Sequence, residues 1–298
     1  MGRISAVITT IAGEEKYLGS CLASIKNLCD EIVVVDMSGG SEISKIAKKY
    51  DAKVFKHDFV NYVEPVRNFG IEKAGGDWIL ILDPDEEMPQ TLTDRLKQLC
   101  ESGEVDFVRI PRKNIIFGKW IKHSRWWSDH NVRFFKKDMV TWTETIHGVP
   151  ITQGDGLDLE PKEELAIVHH HYDSIEQYIE RMNRYTSIQA KNMFERHVFK
   201  WQDIIAKPVA EFVGRYFAGE GYKDGLHGLG LASMQAFSEL FVYLKVWQMQ
   251  GFKDQQIGLK DVVDGIDNAQ KEINYWKNDA QVVEGGGIIP RIKRKIRI

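Results

Sequence analysis

Apolar and polar positions along the first hundred residues fall into blocks with two different periods. Ile4–Thr9 ("ISAVIT"), Glu31–Asp36 ("EIVVVD") and Trp78–Leu82 ("WILIL") are short, nearly unbroken apolar runs, the signature of strands buried on both faces. Helical stripes lie between them. Tyr17, Leu18, Cys21, Leu22, Ile25 and Leu28 recur within 14–28, and Ile43, Ile46, Ala47 and Tyr50 within 42–50. Pro65 and the Gly75-Gly76 pair bracket a third helix over 65–74. With "AKVFKH" (52–57) as another strand, this β-α-β-α-β-α-β order predicts an α/β fold on a mostly parallel sheet with right-handed crossovers. Ligands in such sheets bind outside the carboxyl ends of the strands.

From Val105 the alternation loosens. "DFVRIPRKNIIFGKWI", "HNVRFFKK" and "LAIVHHHY" read as strands separated by loops rich in Trp and His. At Ser174 the pattern turns helical: Ser174-x-x-Gln177 is a capping box, followed by Ile175, Tyr178, Ile179, Met182 and Tyr185 at helical spacing. Further helices are expected over 208–219, 226–250 and 258–278. The expected organisation is a domain over 1–172, with a nucleotide-sugar half (1–104) and an acceptor half (105–172), followed by a helical extension over 173–298. The longest apolar stretch, Leu226 to Trp247, is interrupted by His227, Gln235, Glu239 and Lys245 and does not read as a membrane span. The start "MGRISAVITT" shows no basic region followed by an apolar segment and cleavage site, so a cytoplasmic location is expected.

Chemistry enters where the fourth strand ends. Asp83, Asp85, Glu86 and Glu87 set four carboxylates within five residues, broken only by Pro84. Such a cluster at the tip of a buried strand calls for a compensating cation, and hard divalent ions take carboxylate oxygens together with substrate phosphates. Asp36 ends another strand on the same sheet edge. A net charge of −3 argues against a general nucleic-acid binder. The three cysteines form neither a C-x-x-C pair nor a disulfide framework, and Cys21 falls on an apolar helix face.

The segments "AVITTIAGEEKYLGSCLASI", "DEIVVVD", "RNFGIEKAGGDWILILDPDEE", "WWSDHNVRFFKK", "ETIHG" and "HYDSIEQYIERMNRY" together resemble the inverting family 2 glycosyltransferases of GT-A (Rossmann-like) fold. Within that family they are most similar to the bacterial lipopolysaccharide-core type. The resemblance covers about residues 1–187 and extends more weakly to about 247. It implies transfer of a sugar from a nucleotide-diphosphate sugar, expected to be a UDP-sugar, to a glycan or lipid-linked acceptor, with Mn²⁺ or Mg²⁺. It implies that Asp36 accepts a hydrogen bond from the donor's base, that Arg67 lies near the nucleotide, that Asp83 lies near ribose and metal, and that Asp85 ligates the metal. Thr10 and Glu14 complete the expected nucleotide-sugar site. Two loops depart from the family pattern: Gly13 stands where Asn usually precedes Glu-Glu, and "MSGGSEI" replaces the usual stretch after Asp36.

Inverting transfer needs a base for the acceptor hydroxyl. Asp129 is the first candidate and Glu144 the second. Trp127 is a candidate sugar-stacking side chain, with core packing as the alternative, and Arg133 a candidate phosphate partner, with a structural salt bridge as the alternative. His147 is a candidate third metal ligand or diphosphate contact. In the His169-His170-His171 tract, His169 and His171 share a strand face, and one of them is a candidate to assist the same divalent site. The enzymatic rival is a sugar-phosphate nucleotidylyltransferase, which needs a basic Gly-rich loop where this chain has the acidic "TTIAGEEK"; the non-enzymatic rival is a degenerate nucleotide-sugar-binding module. The helices after 208 are expected either to pack on the core or to form a homodimer. The tail "IIPRIKRKIRI", with five basic residues and no acid, reads either as a solvated end or as a peripheral membrane contact on the inner face of the cell membrane.

Overall fold

The computed structural model describes residues 2–60, 64–143, 150–196 and 198–298. The chain forms two compact units, Met1–Ile115 with Ser128–His171, and Ile116–Trp127 with Tyr172–Ile298.

In the first unit the expected alternation appears as β1 (Ile4–Thr10), α1 (Glu15–Ile25), β2 (Glu31–Asp36), α2 (Glu42–Lys48), β3 (Lys53–Lys56), α3 (Glu64–Lys73) and β4 (Trp78–Leu82). There follow β5 (Glu86–Glu87), α4 (Gln90–Ser102) and β6 (Phe107–Ile116). A two-residue strand, β7 (Lys119–Trp120), falls in the segment that belongs to the second unit. The first unit resumes with β8 (Asp129–Lys136), β9 (Val140–Thr141), β10 (Ile151–Thr152), β11 (Gly156–Asp158) and β12 (Ile167–Tyr172). The main sheet runs β3-β2-β1-β4-β8-β6-β12-β5. β1 pairs in parallel with β2 and β4, and β2 with β3, whereas β8 runs antiparallel to both β4 and β6.

Strand alternation divides the core into two layers. Ala6, Ile8, Val34, Leu80 and Leu82 face α1 and α4, packing with Leu18, Leu22, Leu92 and Leu96. Val7, Val33, Val35, Ile79 and Ile81 face the other way, onto Val66, Ile71 and Phe135. Burial on both faces explains why these strands read as unbroken apolar runs. Gly70 on α3 is required by close approach: a Cβ there would lie 2.4 Å from Val7 Cγ1. That proximity seats α3, which carries Arg67, directly on β1.

The second unit holds α5 (Ile175–Phe194), α6 (Asp203–Val213), α7 (Leu226–Met249), α8 (Leu259–Val283) and α9 (Ile288–Ile296). Ser174 caps α5 as expected, its Oγ accepting from Gln177 N at 3.2 Å, while the Gln177 side chain accepts from Asp173 N at 2.8 Å instead of from Ser174. α6 starts five residues before Pro208, earlier than the sequence suggests, and keeps Pro208 inside it. Ile204, Pro208 and Phe212 lie at i, i+4 and i+8 and line an apolar cavity with α7 and α8, a packing that offsets the hydrogen bond proline cannot donate. The basic tail is no loose end: it forms α9, packed on α8. Among the described residues no helix is long and apolar enough to cross a membrane.

Candidate functional site

β4 is buried along its whole length and delivers Asp83 at its carboxyl end. Both Asp83 oxygens meet arginines: Oδ1 accepts from Arg67 Nη2 and Oδ2 from Arg133 Nη2, each at 2.7 Å. Burial works to raise the Asp83 pKa, but the two guanidinium charges outweigh it and hold the carboxyl well below its ordinary range. Arg133 also donates to Glu86 Oε1 at 2.6 Å, and Glu86 Oε2 accepts from Asp83 N at 2.9 Å. Glu86 and Arg133 are almost fully buried, so this pair is part of the floor of the site.

The chain of charges continues. Arg112 Nη1 lies 3.4 Å from Glu86 Oε1, and the same guanidinium holds Asp129 Oδ2 through Nε at 2.9 Å and through Nη2. Asn131 Nδ2 donates to Asp129 Oδ1 at 3.1 Å. The β6–β8 register sets Arg112 opposite Asp129, which makes the pairing a property of the sheet. Burial tends to raise the Asp129 pKa, yet the Arg112 charge and these hydrogen bonds leave it below the ordinary value. Arg67, Asp83, Arg133, Glu86, Arg112 and Asp129 therefore form one continuous line of alternating basic and acidic side chains.

A second cluster sits at the β5–β12 pairing, where His169 stands opposite Glu86. His169 Nε2 lies 3.7 Å from Asp85 Oδ1, and both residues are buried. On its other side His169 Nδ1 lies 2.7 Å from Asn114 Oδ1; with the ring proton on Nδ1, the Nε2 lone pair faces Asp85. Burial, then the neighbouring His171, depresses the His169 pKa well below normal and keeps the ring neutral. A neutral imidazole oriented by an amide oxygen and aimed at a carboxylate is a donor set that suits a divalent cation. Asp83 fits less well, since each of its oxygens already accepts from an arginine. Among the described residues no group of three or more His, Cys, Asp or Glu converges on one point.

Asp36 is buried at the end of β2, accepting from Ser38 N (2.8 Å), Ser38 Oγ (2.6 Å) and Lys56 Nζ (2.5 Å). Burial pushes its pKa up, and those three partners more than reverse the effect. Thr10 is paired in register with Asp36, and Glu14 Oε2 accepts from Ile11 N at 3.0 Å, closing the loop after β1. His171 Nδ1 lies 3.2 Å from His169 Nδ1. Trp127 belongs to the second unit, edge-on to Trp120 with ring centroids 5.1 Å apart. Glu144 and His147 lie outside the described residues. The sequence shows Glu86 only as one of the acidic cluster after Leu82 and does not single out Arg112 or Asn114; the available signal was that Arg112 and Asn114 stand two apart on a strand and share a face.

The sequence pattern of glycosyl transferase family 2 matches residues 5–153. The chain belongs to this family. Family 2 membership makes it a glycosyltransferase of GT-A fold and displaces the nucleotidylyltransferase reading. Its relatives include the uncharacterized glycosyltransferase RT0209 of Rickettsia typhi, 29% identical over 66% of this chain and 70% of the relative. The lipopolysaccharide core biosynthesis glycosyltransferase LpsC of Rhizobium meliloti is 23% identical over 84% of this chain and 94% of its own. Among solved structures, S. aureus TarS residues 1–349 aligns with 86% of this family 2 chain and 94% of its own at 14% identity and a TM-score of 0.44; its complex with UDP gives 15% and 0.44.

Proposed function

We propose that this glycosyltransferase moves a sugar, with inversion, from a nucleoside-diphosphate sugar to a glycan or lipid-linked acceptor in cell-envelope polysaccharide synthesis. Family membership supports the donor class, and the relationship to LpsC supports the acceptor class. The observation that carries the reading is the convergence of Asp85 Oδ1 and the lone pair of His169 Nε2 on the sheet edge where such folds bind ligands. These two residues would hold Mn²⁺ or Mg²⁺, which when bound would neutralise charge on the leaving diphosphate.

The remaining work belongs to the chain itself. Asp129 takes the proton of the attacking acceptor hydroxyl. Arg112 and Asn131 fix the direction of its carboxylate and keep it ionised, so it is ready to accept at neutral pH. Arg67 and Arg133, anchored by Asp83, place positive charge beside the same edge. The buried Nε of each arginine has no hydrogen-bond partner among the described residues. The test is a panel of nucleotide sugars, each assayed with Mn²⁺ for thermal stabilisation and for hydrolysis or transfer. Metal-dependent turnover of one donor is expected. Binding with no turnover on any donor or acceptor would favour the degenerate module.

A further inference from the structure

The last helix, α9, presents a face that its own unit does not cover. Its four isoleucines, Ile288, Ile289, Ile292 and Ile296, are each more than half exposed. At about 100° of rotation per residue they fall within one arc of about 100°. The five basic residues of the tail are not equivalent. Arg294 and Arg297 project from the opposite side and are engaged by α8: Arg294 Nη1 is 2.6 Å from Asp279 Oδ1, and Arg297 Nη1 is 2.6 Å from Glu272 Oε1. Lys293 and Lys295 flank the apolar arc on its two sides, with Arg291 beyond Lys295. No carboxylate among the described residues pairs with any of these three.

We propose that α9 lies flat on an anionic lipid surface, with its isoleucines at the acyl boundary and Arg291, Lys293 and Lys295 among the headgroup phosphates. An apolar arc bordered by cations is the geometry of a helix held in the plane of an interface. The two arginine–carboxylate pairs explain how so short a helix keeps its orientation: α8 holds it from behind. A second copy of the chain fits this face less well, because a two-fold contact would bring the same cations together. The chain as a whole is acidic, so the attraction comes from this face and not from net charge.

The test is co-sedimentation of the full chain with phosphatidylcholine vesicles, with and without phosphatidylglycerol, at low and high salt. Binding to anionic vesicles at low salt is expected, with release near 1 M, where the Debye length is ~3 Å. Replacing Arg291, Lys293 and Lys295 together by Gln should weaken it about 10²-fold, about fivefold per cation. Ile292→Ser should weaken it with the cations intact. Circular dichroism and donor hydrolysis should be unchanged in all variants, which separates this surface from the transfer chemistry. Equal binding by wild type and the triple Gln variant, equal binding to neutral vesicles, or no binding would overturn the proposal. So would a concentration-dependent dimer that Ile292→Ser dissolves.

Discussion

Asp129 and Arg112 share two hydrogen bonds, and this pairing sets both the aim and the basicity of the candidate base. Asp129→Asn keeps the shape and cannot take a proton; the expected result is a rate about 10²–10⁴-fold lower with donor affinity nearly unchanged. Arg112 acts through Asp129, so its signature lies in the pH profile. Activity falls as pH drops through the pKa of the base, and the guanidinium keeps that pKa low. Arg112→Gln should move the acid limb of kcat/KM to higher pH, and Arg112→Lys should return it part of the way. An unshifted limb would remove Arg112 from this role. At the second cluster, Asp85→Ala should abolish Mn²⁺-dependent nucleotide binding in calorimetry, and His169→Ala should weaken it. Unchanged affinity in Asp85→Ala would sink the metal assignment. Nothing in the residues around position 169 announced which histidine would matter; the partner Asn114, 55 positions away, decides it.

Among elements, α3 is the one whose seating the site depends on most directly. Its Gly70 lies against Val7 on β1, and Arg67, one turn earlier, reaches Asp83 at the end of the neighbouring β4. Gly70→Ala inserts a methyl group where a Cβ would stand 2.4 Å from Val7 Cγ1. The strands of the sheet do not give easily, so α3 must shift outward, at a cost of about 1–3 kcal/mol. Urea unfolding should show that loss, accompanied by weaker nucleotide binding as Arg67 withdraws. If both stay at wild-type values, the helix has more freedom than this packing allows. Helix and strand types were legible here because both periods were strong. The start of α6 was not, because Pro208 reads as a helix beginning and only packing against α7 and α8 allows it inside.

Over the whole molecule, the ionised carboxylates link stability to pH. Asp83 and Asp36 both have folded-state pKa values below those of an unfolded chain, since their cationic and hydrogen-bonding partners outweigh burial. Their contribution is therefore fully present above an unfolded pKa of about 4 and disappears as pH falls through the folded values. The thermal midpoint should stay level from neutral pH to about 5 and drop below about 4. Asp83→Asn should lower the midpoint at neutral pH, because Arg133 loses a buried partner, and should flatten the acid decline. An unaltered acid decline would place the titrating groups elsewhere.

The sequence by itself determined the α/β order, the two-sided burial of β1, β2 and β4, and the arrival of acidic residues at the carboxyl ends of strands. These follow from local periodicity and from where polar residues interrupt it, both of which a linear chain displays. It also held enough of the family pattern to name the chemistry. The pairings had to await the tertiary structure. Asp83 reads as a metal-side carboxylate in sequence, and two arginines from α3 and β8 enclose it. Arg133 reads either as a phosphate partner or as a structural salt bridge, and Asp83 and Glu86 pair with it in the buried floor of the site. The basic tail reads as five equivalent charges, and α8 engages two of them and leaves three. Each difference has one cause: charge acts through distance, and strand register and helix packing fix distances that sequence separation does not.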